Sequence, residues 1–223
     1  MVPQRRWIWK STLPLATALL AVSIGPMMAT TVSTVPLIDI PAAAPLGAGS
    51  TSTIIREPGG VTINVHTDIE PGTYTVWLVI WNDPSRCINV GPPNCLPPPA
   101  GGPDIPDSLV FGSGQVVPSS EKGHFAAHLA VGDTSRVIGG RERAGLTNAM
   151  GAEIRVVLRS HGPVLADQLE SQITTFEGGC DVNPCEDLQA GVHAPGAATV
   201  ETIKLDRILR LLSRVASRIG LIP

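Results

Sequence analysis

The chain is short of the residues that mark familiar chemistry. It has no Gly-x-Ser-x-Gly elbow: Gly112-Ser113-Gly114 lacks the spacing that exposes a nucleophilic serine. Gly139-Gly140 before Arg141 lacks the Gly-Lys-Ser/Thr ending of a phosphate loop. Carboxylates are scattered, with no pair set by motif for acid/base work on a glycosidic bond. No Asn-x-Ser/Thr sequon occurs, and no Cys-x2-Cys knuckle of the structural zinc type. There is no His-x-His pair and no Cys-His-Met cluster of the blue-copper kind. Strands do not alternate with helices, so a parallel α/β sheet is not expected. Aromatics are scarce: beyond residue 29 the set is Tyr74, Trp77, Trp81, Phe111, Phe125 and Phe176. Trp77 and Trp81 share one strand parity and read as core. These absences point away from an enzyme.

The sequence begins with Arg5, Arg6 and Lys10, then an apolar stretch over residues 12–24, a Gly25-Pro26 breaker and small residues to Ala29. That order predicts a secretory signal over residues 1–29, too short for a comfortable span of about 20 residues. No later stretch is apolar for the roughly 18 residues a span requires. The adjacent arginines are compatible with ordinary or twin-arginine export. The expected location is secreted or periplasmic.

Without that signal the chain carries 13 basic and 19 acidic residues. The charge is uneven: residues 30–200 carry a net −9 and residues 201–223 a net +3. An acidic body lacks the basic footprint that phosphate contact requires, so no nucleic-acid partner is expected.

Cys87, Cys95, Cys180 and Cys185 form an even set, which in an exported chain reads as two disulfides. Closeness favours Cys87–Cys95 and Cys180–Cys185, although spacing alone does not choose among the three connectivities.

Residues 30–51, rich in Thr, Ala, Pro and Gly, read as a flexible linker before a domain over 52–195. Within it, residues 61–66, 74–81, 109–117, 123–131, 152–159, 174–176 and 187–193 read as strands. The run 74–81 is apolar on both parities and predicts a central strand covered on both faces. Residues 118–122 read as a hairpin turn, and 165–173 as one or two helical turns. Seven prolines in 91–106 exclude pairing and predict a long surface loop. The expected fold is all-β: an antiparallel β-sandwich of about 7–8 strands, of immunoglobulin-like or Greek-key type. Residues 196–223 add a C-terminal amphipathic α-helix. In 202–219, leucines and isoleucines recur at three and four while Arg207, Arg210, Arg214 and Arg218 share the other side. Such a helix docks on its own domain, on a protein partner or on an anionic membrane surface.

Strand parity sets His66, His124, His128, His161 and His193 opposite the apolar positions, hence toward solvent. On one strand, His124 and His128 stand roughly 13 Å apart and cannot share an ion directly. His66, His161 and His193 fall at or near strand ends, where a sandwich gathers ligands from separate strands. They are the candidate copper or zinc ligands.

Three stretches carry a resemblance: Val65-His66-Thr67 with Pro71-Gly72-Thr73-Tyr74-Thr75-Val76-Trp77; Gly151-Ala152-Glu153-Ile154 with Ser160-His161-Gly162-Pro163; and Thr175-Phe176-Glu177-Gly178-Gly179-Cys180. With the 185–193 end they resemble a family of predicted secreted bacterial proteins without assigned function. The resemblance implies a small extracytoplasmic β-rich domain and brings no catalytic residue. The expected architecture also resembles superoxide-dismutase-like sandwiches, without their His-x-His pair. The leading expectation is an exported structural or binding module with no cofactor; the alternative is a copper- or zinc-binding protein.

Overall fold

The structure is a computed structural model that describes residues 30–88, 95, 104–118 and 122–196. The expected signal (1–29), the helix within 196–223 and most of the proline-rich loop lie outside the described residues. Two antiparallel sheets face each other in a sandwich-like arrangement. Among the described residues eleven strands occur: β1 (Thr31–Pro36), β2 (Ile38–Asp39), β3 (Ala44–Pro45), β4 (Thr51–Glu57), β5 (Gly60–Thr67), β6 (Gly72–Trp81), β7 (Ser108–Val117), β8 (Gly123–Ala130), β9 (Val137–Gly139), β10 (Glu153–Ser160) and β11 (Glu186–His193). One short α-helix, α1 (Leu169–Thr174), and a 3-10 turn, Pro84–Arg86, stand among these described strands. The smaller sheet has the order β1-β4-β5-β8, and the larger β3-β2-β11-β10-β6-β7-β9. Among the described residues no helix is long and apolar enough to cross a membrane.

The strand count exceeds the expected 7–8, and the difference has a local cause. Residues 30–51, expected as a linker, hold β1, β2 and β3. Val32, Val35 and Leu37 give this stretch too few apolar positions to show a period, yet β1 pairs with β4 from Thr31↔Arg56 to Pro36↔Thr51. Leu37 is fully buried. Residues 119–121 lie outside the described residues, and β7 and β8 do not form the expected hairpin, because they belong to different sheets. No strand forms at 174–176: Thr174 ends α1, and its hydroxyl returns to the Glu170 carbonyl.

The core lies between the sheets. Ile54, Val61, Ile63, Val65, Phe125 and Leu129 from one face Val76, Leu78, Ile80, Ile154, Val156 and Leu158 from the other. Register explains the second set, since Ile154↔Ile80, Val156↔Leu78 and Leu158↔Val76 are direct partners and share a face. The opposite face of β6 carries Thr75, Trp77 and Trp81, also buried. It is roofed by two segments: residues 161–185, including α1, and the segment around Cys95 and Asp104. β6 is therefore covered on both sides, as its apolar sequence implies. Gly114 on β7 permits the first roof: a Cβ there would lie 2.0 Å from the Ile173 carbonyl oxygen. Gly114 thus serves close packing of α1 on the sheet, while Gly112 faces Val76 and Ala127.

Both expected disulfides form, Cys87–Cys95 and Cys180–Cys185, and the described chain has no free cysteine. They are features of chains that mature in an oxidising, extracytoplasmic environment. One staples each roof segment.

The exposed edge of the smaller sheet is managed rather than open. The Gln115 amide, oriented to donate to the His124 carbonyl (2.8 Å) and accept from its N–H (3.2 Å), caps β8. Arg136 caps it again at the His128 carbonyl. Side chains on an edge strand's free backbone groups block pairing with another chain.

Candidate functional site

The three histidines proposed as one metal site are not brought together. His161 follows the end of β10, whereas His193 pairs with Ile154 at the beginning of that strand. Seven residues at about 3.3 Å each separate them by about 23 Å along the sheet. His66 lies on the outer face of the smaller sheet, away from both. The solvent-facing parity holds for His66, His124 and His128, which are exposed, and fails for His161 and His193, which are fully buried.

His161 lies under the first roof. Trp77 Nε1–H donates to Thr75 Oγ1 at 2.8 Å, and Thr75 Oγ1 lies 2.7 Å from His161 Nε2. The Gly178 carbonyl, 2.8 Å from His161 Nδ1, can only accept, so the neutral ring carries its proton on Nδ1. Nε2 then accepts from Thr75 Oγ1, whose lone pair takes the indole N–H. Burial holds the imidazole below its ordinary pKa, outweighing the Gly178 carbonyl, so it is neutral near pH 7. Gln172, also buried, donates from Nε2 to the carbonyls of His161 and Pro163. Trp77 meets Phe111 and Phe176 edge-to-face, at centroid distances of 5.3 and 5.1 Å. Arg159 covers the other side of Phe176, 4.1 Å from its centroid.

Cys180 and Cys185 complete this cluster: their sulfurs and His161 Nδ1 lie within 4.8 Å of one another. The spacing suits a metal, but the chemistry of the donor set does not. The sulfurs are joined to each other, whereas thiolates ligate metals, and Nδ1 is committed to Gly178. The group is a structural hub that ties α1, the disulfide loop and the sheet together.

His193 faces inward for the same reason that Ile154 does, since direct cross-strand partners share a face. Its parity grouping with Gln189 holds, but that face of β11 meets polar residues of the smaller sheet. His193 Nδ1 lies 2.8 Å from Ser33 Oγ and Nε2 3.0 Å from Ser52 Oγ. Gln189 Oε1 accepts from Thr67 Oγ1 at 2.6 Å. Beside them Arg56 is buried, donating to the carbonyls of Ala149 (2.7 Å) and Ala194 (3.1 Å). Burial pushes Arg56 down to about 10, still cationic near neutrality. Burial and then the Arg56 charge push His193 down to about 4. The pair Ser33–His193 has no carboxylate on the far ring nitrogen, which meets Ser52 instead, so it lacks the orienting group of a hydrolytic triad.

The third constellation anchors the proline-rich segment. Asp107, 1% exposed, accepts from Arg86 (3.1 Å), Arg141 (2.9 Å) and the Asn82 N–H (2.8 Å). Glu153 accepts from the Cys95 N–H at 3.2 Å, and Arg155 donates to the Cys95 carbonyl while covering the Trp81 ring. The Asp104 carboxylate accepts from the Ile88 N–H at 3.1 Å, and its carbonyl accepts from Trp81 Nε1–H at 3.3 Å. These contacts hold the segment between Cys87 and Asp107 at both ends and at Cys95 within it. Nothing in the alternation of Glu153 or Arg155 disclosed this role; the proximity of Cys87 and Cys95 to seven prolines was the only signal.

In a shallow surface depression beside α1, lined by Asp167, Gln168, Glu170, Ser171, Thr174 and Thr175, the three hydroxyls donate to the backbone carbonyls of Gln168, Glu170 and Ser171 rather than to a carboxylate base. Comparison with protein-family models, curated proteins and solved structures returns no match for this chain. The family resemblance of residues 65–77, 151–163 and 175–180 therefore adds no weight to the assignment.

Proposed function

We propose that the protein is an exported, extracytoplasmic binding module and not an enzyme, with the segment between Cys87 and Asp107 as its recognition element. The observation that supports this reading is the anchoring set: Asp104, Asp107, Arg86 and Arg141 hold the ends of one segment, and Glu153 and Arg155 hold it at Cys95. Rigid sheets that present firmly rooted long loops are the usual platform for recognition. The prolines in that segment suit it to contact with an aromatic-lined groove, because a proline ring fixes φ and so lowers the entropy lost on binding. The basic stretch 202–219 offers a second contact, with a protein partner or an anionic membrane surface.

The test replaces residues 96–102 with an equal length of Gly and Ser in the exported chain. Thermal unfolding and retention on the producing cells' envelope fraction are then measured. Unchanged unfolding with lost retention is expected. A large fall in thermal stability with retention intact would make the segment a structural clamp and overturn the reading.

A further inference from the structure

We infer that the outer face of the smaller sheet carries a binding site for a divalent transition-metal ion, copper(II) foremost, held by His66 and His124. This goes beyond the recognition segment proposed above and does not rest on it.

His66 on β5 and His124 on β8 are direct cross-strand partners. The backbone N–H and C=O of His124 turn away from β5, toward the Gln115 amide. The pair is therefore of the non-hydrogen-bonded kind, in which Cα atoms approach to about 4.5 Å and side chains stand closest. Both rings are exposed and lean together, with centroids 4.8 Å apart and planes at 70°. Their Nδ1 atoms are 2.6 Å apart.

Two ring nitrogens at that distance need something positive between them. With both imidazoles neutral, one Nδ1–H donates to the lone pair of the other. A metal ion takes the same place. Imidazole–metal bonds run about 2.0–2.1 Å, so two cis nitrogens on one ion stand about 3 Å apart. Opening 2.6 Å to that value takes a few tenths of an ångström of ring rotation at two exposed side chains. The protons balance without net release: the ring that held its proton on Nδ1 carries it on Nε2 instead, exchanged through water. Both Nδ1 lone pairs then point at the ion.

The surroundings suit a cation with water in its remaining positions. The nearest register neighbours, Thr51, Asn64 and Ala126, are uncharged. Asp68 lies two residues past His66 and is paired with Lys122 at 2.8 Å. Imidazole donors favour copper(II) over zinc, nickel and cobalt by the general affinity order of divalent ions. His128, four residues along β8, is occupied differently, meeting Thr62 Oγ1 at 3.1 Å, and serves as an internal control.

The test uses the untagged, oxidised full chain titrated with copper(II) against a weak competing chelator at pH 7.5, by calorimetry and electron paramagnetic resonance. His66→Ala, His124→Ala and His128→Ala are run beside it, each checked for unchanged circular dichroism. Copper bound to the chain's amino terminus is common to all four proteins and cancels. The wild type and His128→Ala are expected to bind one further ion, with hyperfine structure from two imidazole nitrogens. His66→Ala and His124→Ala should each lose affinity by at least about tenfold, since losing even a group hydrogen-bonded to a ligand costs that much. Superimposable titrations for all four proteins, or a single-nitrogen signal in the wild type, would overturn the assignment.

Discussion

Acid should loosen this fold through His193. Its imidazole is buried between the sheets, between Ser33 and Ser52 and close to the Arg56 cation. Burial holds its folded-state pKa at about 4, whereas in the unfolded chain it takes the ordinary value of about 6.5. The unfolded state therefore binds the proton more readily. The histidine's contribution is fully present above about pH 6.5 and drains away as pH falls toward 4. With those two values, about 2 kcal/mol is gone at pH 5, and the limit below pH 4 is roughly 3 kcal/mol. That is a large part of the 5–15 kcal/mol typical of a domain. The assay is urea unfolding of the oxidised chain between pH 7.5 and 4.5, beside His193→Gln. The variant gives up a serine contact, which costs about 1 kcal/mol at neutral pH, but it has no proton to take up. Its deficit should therefore vanish near pH 6 and become an advantage of about 1 kcal/mol at pH 5. His161, also held below its ordinary value, weakens both proteins alike and cancels in the difference. A deficit that stays constant with pH would refute the reasoning.

The other expectations concern the roofed face and the anchor. Trp77→Ala should cost about 3–5 kcal/mol, because it empties the space between Phe111 and Phe176; chemical denaturation measures it. Thr75→Val keeps the shape but leaves Trp77 Nε1–H and His161 Nε2 without a partner, at about 1–3 kcal/mol. Fluorescence-monitored unfolding should place this variant between Trp77→Ala and wild type. Asp107→Ala takes the shared carboxylate from Arg86, Arg141 and the buried Asn82 N–H, while Arg86 keeps Glu142 and Asp83. As both arginines are about half exposed, the loss should fall near 2–3 kcal/mol, below that of a wholly buried pair. Cys180→Ser with Cys185→Ser should lower stability by about 2 kcal/mol, the chain-entropy estimate for so short a loop, with the sheets intact by far-UV circular dichroism.

How far these features could be read beforehand depends on where their causes lie. Alternation along 61–66 and 152–159 and the doubly apolar run of 74–81 are local signals, and β5, β10 and β6 follow them. The disulfides are the pairs that closeness in sequence favours, although spacing alone leaves three connectivities open. His161 was misread because parity sorts residues to faces without saying what covers each face. The roof of residues 161–185 is built from Gly, Pro, Gln and Cys, which carry no period. His193 was misread for the complementary reason: the inner face of β11 is polar because it meets Ser33, Ser52 and Thr67, far away in sequence. The pairing of His66 with His124 depends on the register of β5 with β8, which no spacing in the chain encodes.

The central claim, that the Cys87–Asp107 segment is rooted in order to bind, is tested most directly by photo-crosslinking. A photoreactive residue is placed at Ile88, 70% exposed beside the anchor, and at Val182, 58% exposed in the other stapled loop. Both are irradiated in the cells that export the protein. A discrete adduct from Ile88 and none from Val182 is the predicted result. No adduct from Ile88, in a chain that is exported and folded, would contradict it.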